Sequence, residues 1–176
     1  MLTSGAVTLR GIERADIPEL HAWGQEHETW PEVNLEPYGP STVEDALRTY
    51  DAGGKSPYRS DEKYAGFAIE AEGKLVGSVG LWGIDLHNRR AHLGISLGAE
   101  HRGKGYGSDA CKAILTYAFV ERGLHRVQLE VLASNLPARK AYEKAGFTEE
   151  GVTRQSGWVR GEFVDEVWMA VLAPHR

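Results

Sequence analysis

The feature that most constrains the fold of this chain is a glycine-rich run between two regular segments. Residues His101–Ser108 read HRGKGYGS, follow an apolar segment that alternates like a strand, and precede a helical segment. Glycine adopts backbone conformations that other residues avoid, and the first amides of a helix have no partner within it. The run therefore predicts either a plain strand-to-helix turn or a site for a phosphate-bearing ligand.

The order of the glycines differs from that of two familiar nucleotide-binding motifs. Lys104 does not follow the P-loop order Gly-x-x-x-x-Gly-Lys-Ser/Thr, and the third glycine comes too early for Gly-x-Gly-x-x-Gly. The basic residues Arg102 and Lys104, on either side of Gly103, nevertheless suit a diphosphate. The rest of the chain must decide between the plain turn and the diphosphate site.

Length and composition favour one compact domain over residues 1–176. Hydrophobic residues make up 41% of the chain, which is enough for a continuous core. The net charge of −5 argues against a protein that holds nucleic acid through a broad basic face. No stretch is long and apolar enough to span a membrane, and the N-terminus lacks a signal segment. We therefore expect a cytoplasmic protein without nucleic-acid or membrane partners.

Cys111 is the single cysteine, which excludes an intrachain disulfide and a cysteine-rich metal site. It lies at helical spacing with Leu115 and Ala118, so we interpret it as a small buried hydrophobe rather than a reactive thiol. No metal is implied by the sequence.

The pattern of apolar residues predicts an α/β (α+β) fold. Alternation predicts strands at 7–10, 64–70, 75–82, 91–97, 127–131 and 167–172. Start and stop signals predict helices at 16–24, at 41–50 with a capping box of Ser41 and Glu44, at 108–122 and at 137–146. Residues 51–63 are predicted to be a loop, either a mobile lid or a disordered surface segment. This order indicates a mixed sheet covered by helices, with a ligand crevice where a strand feeds the glycine-rich run.

A second segment, Asn135–Phe147, has the spacing Asn-x-x-Ala-x-x-x-Tyr-x-x-x-Gly-Phe and follows Leu129-Glu130-Val131. The run from Arg102 to Gly107 has the form Arg/Gln-x-x-Gly-x-Gly/Ala. In this order, the two segments resemble the GNAT family of acyl-CoA N-acyltransferases. The resemblance implies the GNAT fold, a mixed central sheet flanked by helices in which strands 91–97 and 127–132 splay apart. It also implies acetyl-CoA as the co-substrate.

The resemblance further implies which residues bind acetyl-CoA. Main-chain groups of strand 91–97 would hold the pantetheine arm, and amides of the glycine-rich run would hold the pyrophosphate. Asn135 would bond to that arm or to the amine, with a local helix cap as the alternative. Ala138 and Tyr142 share its helical face. The implied cofactor-binding residues are Ile95, Ser96, Leu97, Arg102, Gly103, Lys104, Gly105, Tyr106, Gly107, Ser108, Asn135, Ala138 and Tyr142.

Acyl transfer to an amine needs a base for the amine and a proton donor for the departing sulfur. The resemblance implies that Tyr142 is the donor, with a plain core aromatic as the alternative. Its phenol stays protonated near neutrality. Glu130 is the implied base, with a solvent-facing strand glutamate as the alternative, and His87 and His92 are further candidates.

The sequence leaves the acceptor amine open. Three further segments resemble the family branch of ribosomal-protein N-terminal and spermidine acetyltransferases: 30–38, 86–91 and 161–168. That branch implies a protein N-terminus or a small amine such as a polyamine. Four glutamates form either a polyamine-attracting cluster or a solvated surface: Glu26, Glu28, Glu32 and Glu36. A non-catalytic CoA-binding module is the rival from another class. The acyl chain length and the formation of a homo-oligomer stay open.

Overall fold

The computed structural model describes residues 2–27, 38–52 and 60–174, which contain one mixed sheet with the strand order β1-β2-β3-β4-β5-β6-β8-β7. The strands are β1 (Leu2–Ser4), β2 (Val7–Arg10), β3 (Tyr64–Ala71), β4 (Lys74–Asp85), β5 (Arg90–Leu97), β6 (Arg126–Leu132), β7 (Thr148–Val159) and β8 (Glu162–Leu172). The α-helices are α1 (Ile17–Gly24), α2 (Val43–Ala52), α3 (Tyr106–Thr116) and α4 (Leu136–Ala145). A π-helical turn, Tyr117–Glu121, continues α3. The predicted α/β class with a mixed sheet is confirmed.

The parallel neighbours β5 and β6 are paired only at their beginnings. Residues 90–92 of β5 lie opposite residues 126–128 of β6, and these two fully described strands form no further pair with each other. Each strand nevertheless continues along its other neighbour, β5 with β4 as far as Leu97 and β6 with β8 as far as Leu132. The two strands therefore diverge and leave a gap in the sheet, which confirms the predicted splay.

Side chains alternate between a core face and a polar face of the sheet. On β6, Val127, Leu129 and Val131 are at most 6% exposed and pack with residues of α3 and α4 on the core face. Gln128 and Glu130 point the other way, onto what we call the polar face. Helices α1 and α2 cover the polar face through a smaller cluster that includes β3. The polar face of β5, β6 and β8 is thus flanked, rather than filled, by hydrophobic packing.

The predicted capping box of Ser41 and Glu44 is wrong by one residue. The Thr42 amide donates to Oδ2 of Asp45, and the Asp45 amide donates to Oγ1 of Thr42, both over 3.1 Å. Consecutive Ser-Thr and Glu-Asp pairs offer two overlapping frames for the same motif. The Ser41 amide instead donates to Gln25, which leaves Thr42 to begin the helix.

The sequence predicts no strand at 148–159, where the structure has β7. This strand lies at the edge of the sheet and exposes almost all of its side chains, so it shows no alternation of apolar and polar residues. It pairs with β8 in a long hairpin whose register breaks between Thr153 and Gly157. The edge strand β1 also escapes prediction, because its three residues are too few to show a pattern.

Some predictions fall outside the described residues. Glu28, Glu32 and Glu36 of the acidic segment lie in the undescribed range 28–37, and most of the predicted loop lies in the range 53–59. Of the remaining residues, Asp51 and Ala52 belong to α2 rather than to a loop. In the described part of the chain, no helix is long and apolar enough to cross a membrane.

Candidate active site

The glycine-rich run forms a tight turn between β5 and α3. Gly103 and Gly105 have φ values of +74° and +87°, a region that side chains disfavour. A Cβ atom at either position would meet nothing within 4 Å. The backbone conformation, rather than lack of room, therefore requires glycine here. The turn ends at Tyr106, so α3 begins two residues earlier than the predicted residue 108.

The turn presents a row of backbone amides that are free of protein partners. The first amide of α3 to be bonded is that of Asp109, which donates to the carbonyl of Gly105 over 3.2 Å. Within the described ranges, the amides of residues 103–108 donate to no backbone or side-chain acceptor. The Arg102 amide differs, because it donates to the carbonyl of Ala99. Free amides and the positive end of the helix dipole together favour an anion at this point.

The two basic residues of the run are placed differently. The Arg102 guanidinium donates to the Leu97 carbonyl over 3.1 Å and lies 3.7 Å from the Glu26 carboxylate. It therefore braces the turn against the end of β5. Lys104 is exposed, and within the described residues it forms no ion pair, so its charge is available to a ligand. Glu26 pairs with Arg102 and so contributes less to an acidic cluster than the sequence implied.

Trp23 of α1 holds the end of β5 in place. A Cβ atom at Gly98 would lie 2.4 Å from the Trp23 ring, so only glycine permits this contact. The Trp23 ring also meets the His101 ring edge-on, with centroids 5.7 Å apart. Sequence analysis did not identify Trp23 as a neighbour of the turn. The glycine directly after a strand was the available signal.

Helix α4 lines the other side of the gap with the second predicted segment. Oδ1 of Asn135 accepts from the Ala138 amide over 3.2 Å, so Asn135 caps the helix. The local helix cap, which was the alternative role of Asn135, is therefore present. The cap uses only the side-chain oxygen, so the side-chain amide nitrogen is available to a ligand. Ala138 and Tyr142 both pack against the main core, which places their shared helical face towards the sheet.

Tyr142 is half-buried beneath the core face, with its ring centroid 5.8 Å from that of Phe147. Burial raises the pKa of its phenol above the ordinary value of 10.0, and the nearby Cys111 raises it further. The phenol is therefore protonated at neutral pH and able to donate. Cys111 itself is fully buried, and burial raises the pKa of its thiol to about 12. Its interpretation as a buried hydrophobe is confirmed.

His92 lies on the polar face, where its ring stacks on Trp82 with centroids 4.3 Å apart. Gln128 accepts from Arg126 through Oε1, so its amide nitrogen donates to Nε2 of His92 over 3.0 Å. This arrangement leaves the imidazole proton on Nδ1, which is buried and has no partner among the described residues. Burial first, and then Arg90 and Arg126, lower the pKa of His92, so the ring is neutral.

Glu130 is half-buried on the polar face, opposite Trp168 of β8. Burial raises the pKa of its carboxyl group, and the nearby Glu166 raises it further. A carboxylate with a raised pKa is a stronger proton acceptor. His87 lies instead in the exposed turn between β4 and β5, at the paired end of β5. The structure therefore brings Glu130 and His92 together on one face and keeps His87 away from the gap.

A pocket of about 280 Å³ opens over β4 and β5. Gly80 and Gly94 lie opposite each other and leave its floor without side chains. A Cβ atom at Gly80 would lie 2.9 Å from the Tyr64 hydroxyl. Its lining residues are Tyr64, Ser78, Val79, Gly80, Trp82, Gly94, Ile95 and Ser96. Sequence analysis missed this pocket, although glycines inside strands are a signal for close approach of a ligand.

The gap separates the two candidate proton-transfer groups. Tyr142 belongs to the helix that packs on the core face, whereas Glu130 projects from the polar face of β6. A ligand lying between the diverging strands would thus meet a proton donor on one side and an acceptor on the other. Among the described residues, no group of three or more His, Cys, Asp or Glu side chains could hold a metal ion.

Several known proteins are similar to this chain in sequence. Spermidine N(1)-acetyltransferase of Vibrio cholerae is 29% identical over 167 residues, which cover 94% of this chain and 92% of that protein. Probable N-acetyltransferase YjcK of Bacillus subtilis is 32% identical over 117 residues, or 66% of this chain. YdaF of the same organism is 37% identical over 101 residues. The chain spans 65% of the length of YjcK and 55% of the length of YdaF, which is less than two thirds in each case.

Similarity in structure extends over nearly the whole chain. The crystal structure of spermidine N-acetyltransferase from Vibrio cholerae in complex with CoA and spermine matches with a TM-score of 0.83 at 27% identity, covering 95% of both chains. A family model described as "Acetyltransferase (GNAT) domain" matches residues 6–148. That range contains the diverging strands, the glycine-rich turn and Tyr142. The chain therefore belongs to the GNAT acetyltransferase family.

Proposed function

We propose that this protein is an acyl-CoA-dependent N-acetyltransferase that transfers an acetyl group from acetyl-CoA to a primary amine by direct attack. One observation carries the proposal. The gap between β5 and β6 opens beside a row of unpartnered amides at the start of α3. This combination suits a ligand with an anionic group at one end and a narrow arm that reaches into the sheet. Membership of the GNAT family is consistent with it.

The placement of acetyl-CoA follows from the same geometry. Ile95, Ser96 and Leu97 belong to the part of β5 that β6 leaves unpaired, and those of their main-chain groups that point into the gap would bond to the pantetheine arm. The amides of residues 103–108 would hold the pyrophosphate, and Lys104 would add its charge. On α4, the free amide nitrogen of Asn135 is the remaining polar group for the arm. Arg102 would support the pyrophosphate site through its guanidinium, which braces the turn, since its backbone amide is already bonded.

The two proton tasks fall to residues on opposite sides of the gap. Acetyl-CoA supplies the thioester carbon that the amine attacks. Glu130, directly or through a water molecule, removes a proton from the ammonium group, and the lone pair that is freed forms the new C–N bond. As the C–S bond breaks, Tyr142 donates its proton to the departing sulfur, and the second proton that the nitrogen loses on becoming an amide restores the phenol. The raised pKa of each residue suits its task, because Glu130 accepts more strongly and Tyr142 remains protonated.

A polyamine is the acceptor with the most specific support. Spermidine N(1)-acetyltransferase of Vibrio cholerae and the structure of a spermidine N-acetyltransferase from that organism, both named for spermidine acetylation, are each similar to this chain over at least 92% of both chains. A protein N-terminus offers the same primary amine chemistry. We also propose that residues 1–176 form one domain in the cytoplasm. One core cluster joins β2 to β8, and the free buried Cys111 is typical of a reducing compartment.

The proposed function is tested by release of free thiol from acetyl-CoA with a panel of acceptors. The panel contains spermidine, peptides with a free N-terminus and small monoamines. We expect protein-dependent thiol release with at least one primary amine. Calorimetric binding of CoA without release by any acceptor would favour a non-catalytic CoA-binding module. Absence of CoA binding would refute the assignment of the site.

Replacement of Gly105 by Ala should weaken CoA binding. The methyl group disfavours the φ of +87° and reorients the amides that follow, so we expect the Kd for CoA to rise about tenfold. Gly161→Ala is the matched control, because Gly161 has a φ of +88° and equally open surroundings in the turn between β7 and β8. Calorimetry that gave both variants the same Kd would contradict the proposed pyrophosphate site.

Replacement of Tyr142 by Phe should reduce kcat by about 10²- to 10⁴-fold, because the departing sulfur loses its proton donor. The Kd for CoA should change far less. Tyr50→Phe removes a different half-buried hydroxyl, which bonds to the Ile12 carbonyl, and should retain activity. Steady-state rates and calorimetry on the two variants check this. Equal kcat for Tyr142→Phe and the unaltered protein across the pH range would exclude the donor role.

Replacement of Glu130 by Gln should lower kcat about 10²-fold and change its pH dependence. A base acts when deprotonated, so kcat should fall as the pH drops through the pKa of Glu130. Burial and Glu166 raise that pKa above its ordinary value of 4.5. This acid limb should disappear in Glu130→Gln, measured with saturating amine, and persist in the exposed control Glu143→Gln. If the acid limb disappears in His92→Gln and persists in Glu130→Gln, His92 is the base.

A further inference from the structure

Glu166 is a buried acidic residue that the proposed mechanism does not use. It lies on β8 and is 9% exposed. In the sheet it is opposite Leu132 of β6 on one side and Thr153 of β7 on the other. Because Leu132 and Glu130 share a face of β6, Glu166 projects from the same polar face as Glu130.

No cation in the described ranges neutralises this pair of carboxylates. Neither Glu130 nor Glu166 lies within ion-pair distance of a described basic side chain, and neither accepts a hydrogen bond there. The guanidinium group of Arg126, which shares the polar face of β6 with Glu130, pairs instead with Glu150. A buried carboxylate without a partner is costly, so this arrangement favours binding of a cation from outside the chain.

The two carboxylates are diagonal neighbours across β6 and β8. Glu130 lies directly opposite Trp168, and Glu166 is two residues before Trp168 on the same strand. Long side chains reach each other at this spacing. After burial itself, Glu166 is the cause that raises the pKa of Glu130, which reflects how close the two charges are.

A glycine leaves room beside Glu166. The break in register between Thr153 and Gly157 brings Gly157 next to this side chain. A Cβ atom at Gly157 would lie 3.5 Å from the carboxyl carbon of Glu166 and 3.1 Å from Val164. Any larger side chain would extend over the carboxylate. Gly157 therefore packs against Glu166 with backbone alone and places no side chain over its carboxyl group.

Aromatic rings stand beside the two carboxylates. The indole nitrogen of Trp168 donates to Oγ1 of Thr153 over 2.9 Å, which fixes the ring. Trp168 meets His92 at an angle, with centroids 6.1 Å apart, and His92 stacks on Trp82. A tryptophan face next to paired carboxylates is a favourable surface for an ammonium group. The unpartnered Nδ1 of His92 adds a buried donor on this face.

We propose that Glu166 is a second acidic residue of the acceptor site, and that Glu130 and Glu166 together hold the ammonium group of a cationic acceptor against Trp168. This inference rests on the proposed function and narrows its acceptor. An alkylamine, which is an ammonium ion at neutral pH, is bound before Glu130 removes a proton. An aromatic amine that is uncharged at neutral pH gains nothing from Glu166. The polyamine and the peptide N-terminus share the required ammonium chemistry.

The inference can be tested without acetyl-CoA by carbon-13 NMR of the glutamate carboxyl groups. Ethylammonium chloride is the probe, and sodium chloride at equal ionic strength is the control. We expect ethylammonium to shift the titration midpoint of Glu130 to lower pH, because a bound cation stabilises its carboxylate. The other charged or titratable groups of this face include His92, Arg90, Arg126, Glu150 and Glu162; Arg126 already pairs with Glu150, and Arg90 pairs with Asp85.

The variants Glu166→Gln and Glu162→Gln complete the test. Glu166→Gln removes a like charge, so the Glu130 midpoint should begin lower, and ethylammonium should bind about tenfold more weakly. Glu162→Gln, at the exposed start of the same strand, should behave as the unaltered protein. Equal effects of the two salts on the unaltered protein would overturn the inference, and that comparison holds even if Glu166→Gln does not fold. An unchanged Glu130 midpoint together with unchanged ethylammonium binding in Glu166→Gln would also overturn the inference.

Kinetics distinguish this inference from the proposed function. For spermidine and for a tripeptide with a free N-terminus, Glu166→Gln should raise the KM of whichever amine is acetylated about tenfold and leave the KM of acetyl-CoA unchanged. Comparison of the two amines identifies the source of the ammonium group. Ethylammonium binding without acetyl transfer to any amine would refute the proposed function alone. Acetyl transfer with a normal amine KM in Glu166→Gln would refute the inference alone.

Discussion

The divergence of β5 from β6 is the constraint on which the rest of the structure depends. Beyond residues 92 and 128 the two strands stop pairing, although each is held in the sheet by its other neighbour. Backbone groups inside a sheet normally find partners there, and those along the gap must find them in a ligand or in water. The gap also connects the two faces of the sheet. A narrow ligand that enters it can therefore be reached from both sides, which a fully paired sheet would prevent.

The surroundings of the gap differ on its two sides, and the difference suits the chemistry. On the core side, helices exclude water and keep the phenol of Tyr142 protonated. On the polar side, partial burial makes Glu130 a stronger base without removing it from contact with an acceptor. The same physical effect, desolvation of a charged form, thus prepares an acid and a base. The strands between them keep these groups apart, so neither neutralises the other.

The sequence predicted those parts of the fold that repeat a local pattern. Strand β5 alternates between a core face and a polar face, and the turn at Gly105 requires a backbone conformation that glycine adopts readily. It failed where local patterns are absent or ambiguous. Almost all side chains of the edge strand β7 are exposed, and two overlapping capping boxes, beginning at Ser41 and at Thr42, are possible at the start of α2. Site residues on distant segments were also missed, because the contact of Gly157 with Glu166 depends on a break in register that no spacing in the sequence reveals.

The polar face combines groups that only a cationic ligand reconciles. Two carboxylates repel each other, and the neutral ring of His92 does not offset their charge. In the free protein, the raised pKa means that Glu130 takes up a proton at a higher pH than usual, and its neutral form no longer repels Glu166. An arriving ammonium group reverses the balance, since it favours both carboxylates in their charged form. The ligand would thus bind to a charged pair of carboxylates, and one of them would then have to accept a proton from it. Burial disfavours the charged form of Glu130 and so assists that second step. Recognition of the ammonium group therefore needs Glu130 charged, whereas proton transfer is helped by the burial that opposes this charge.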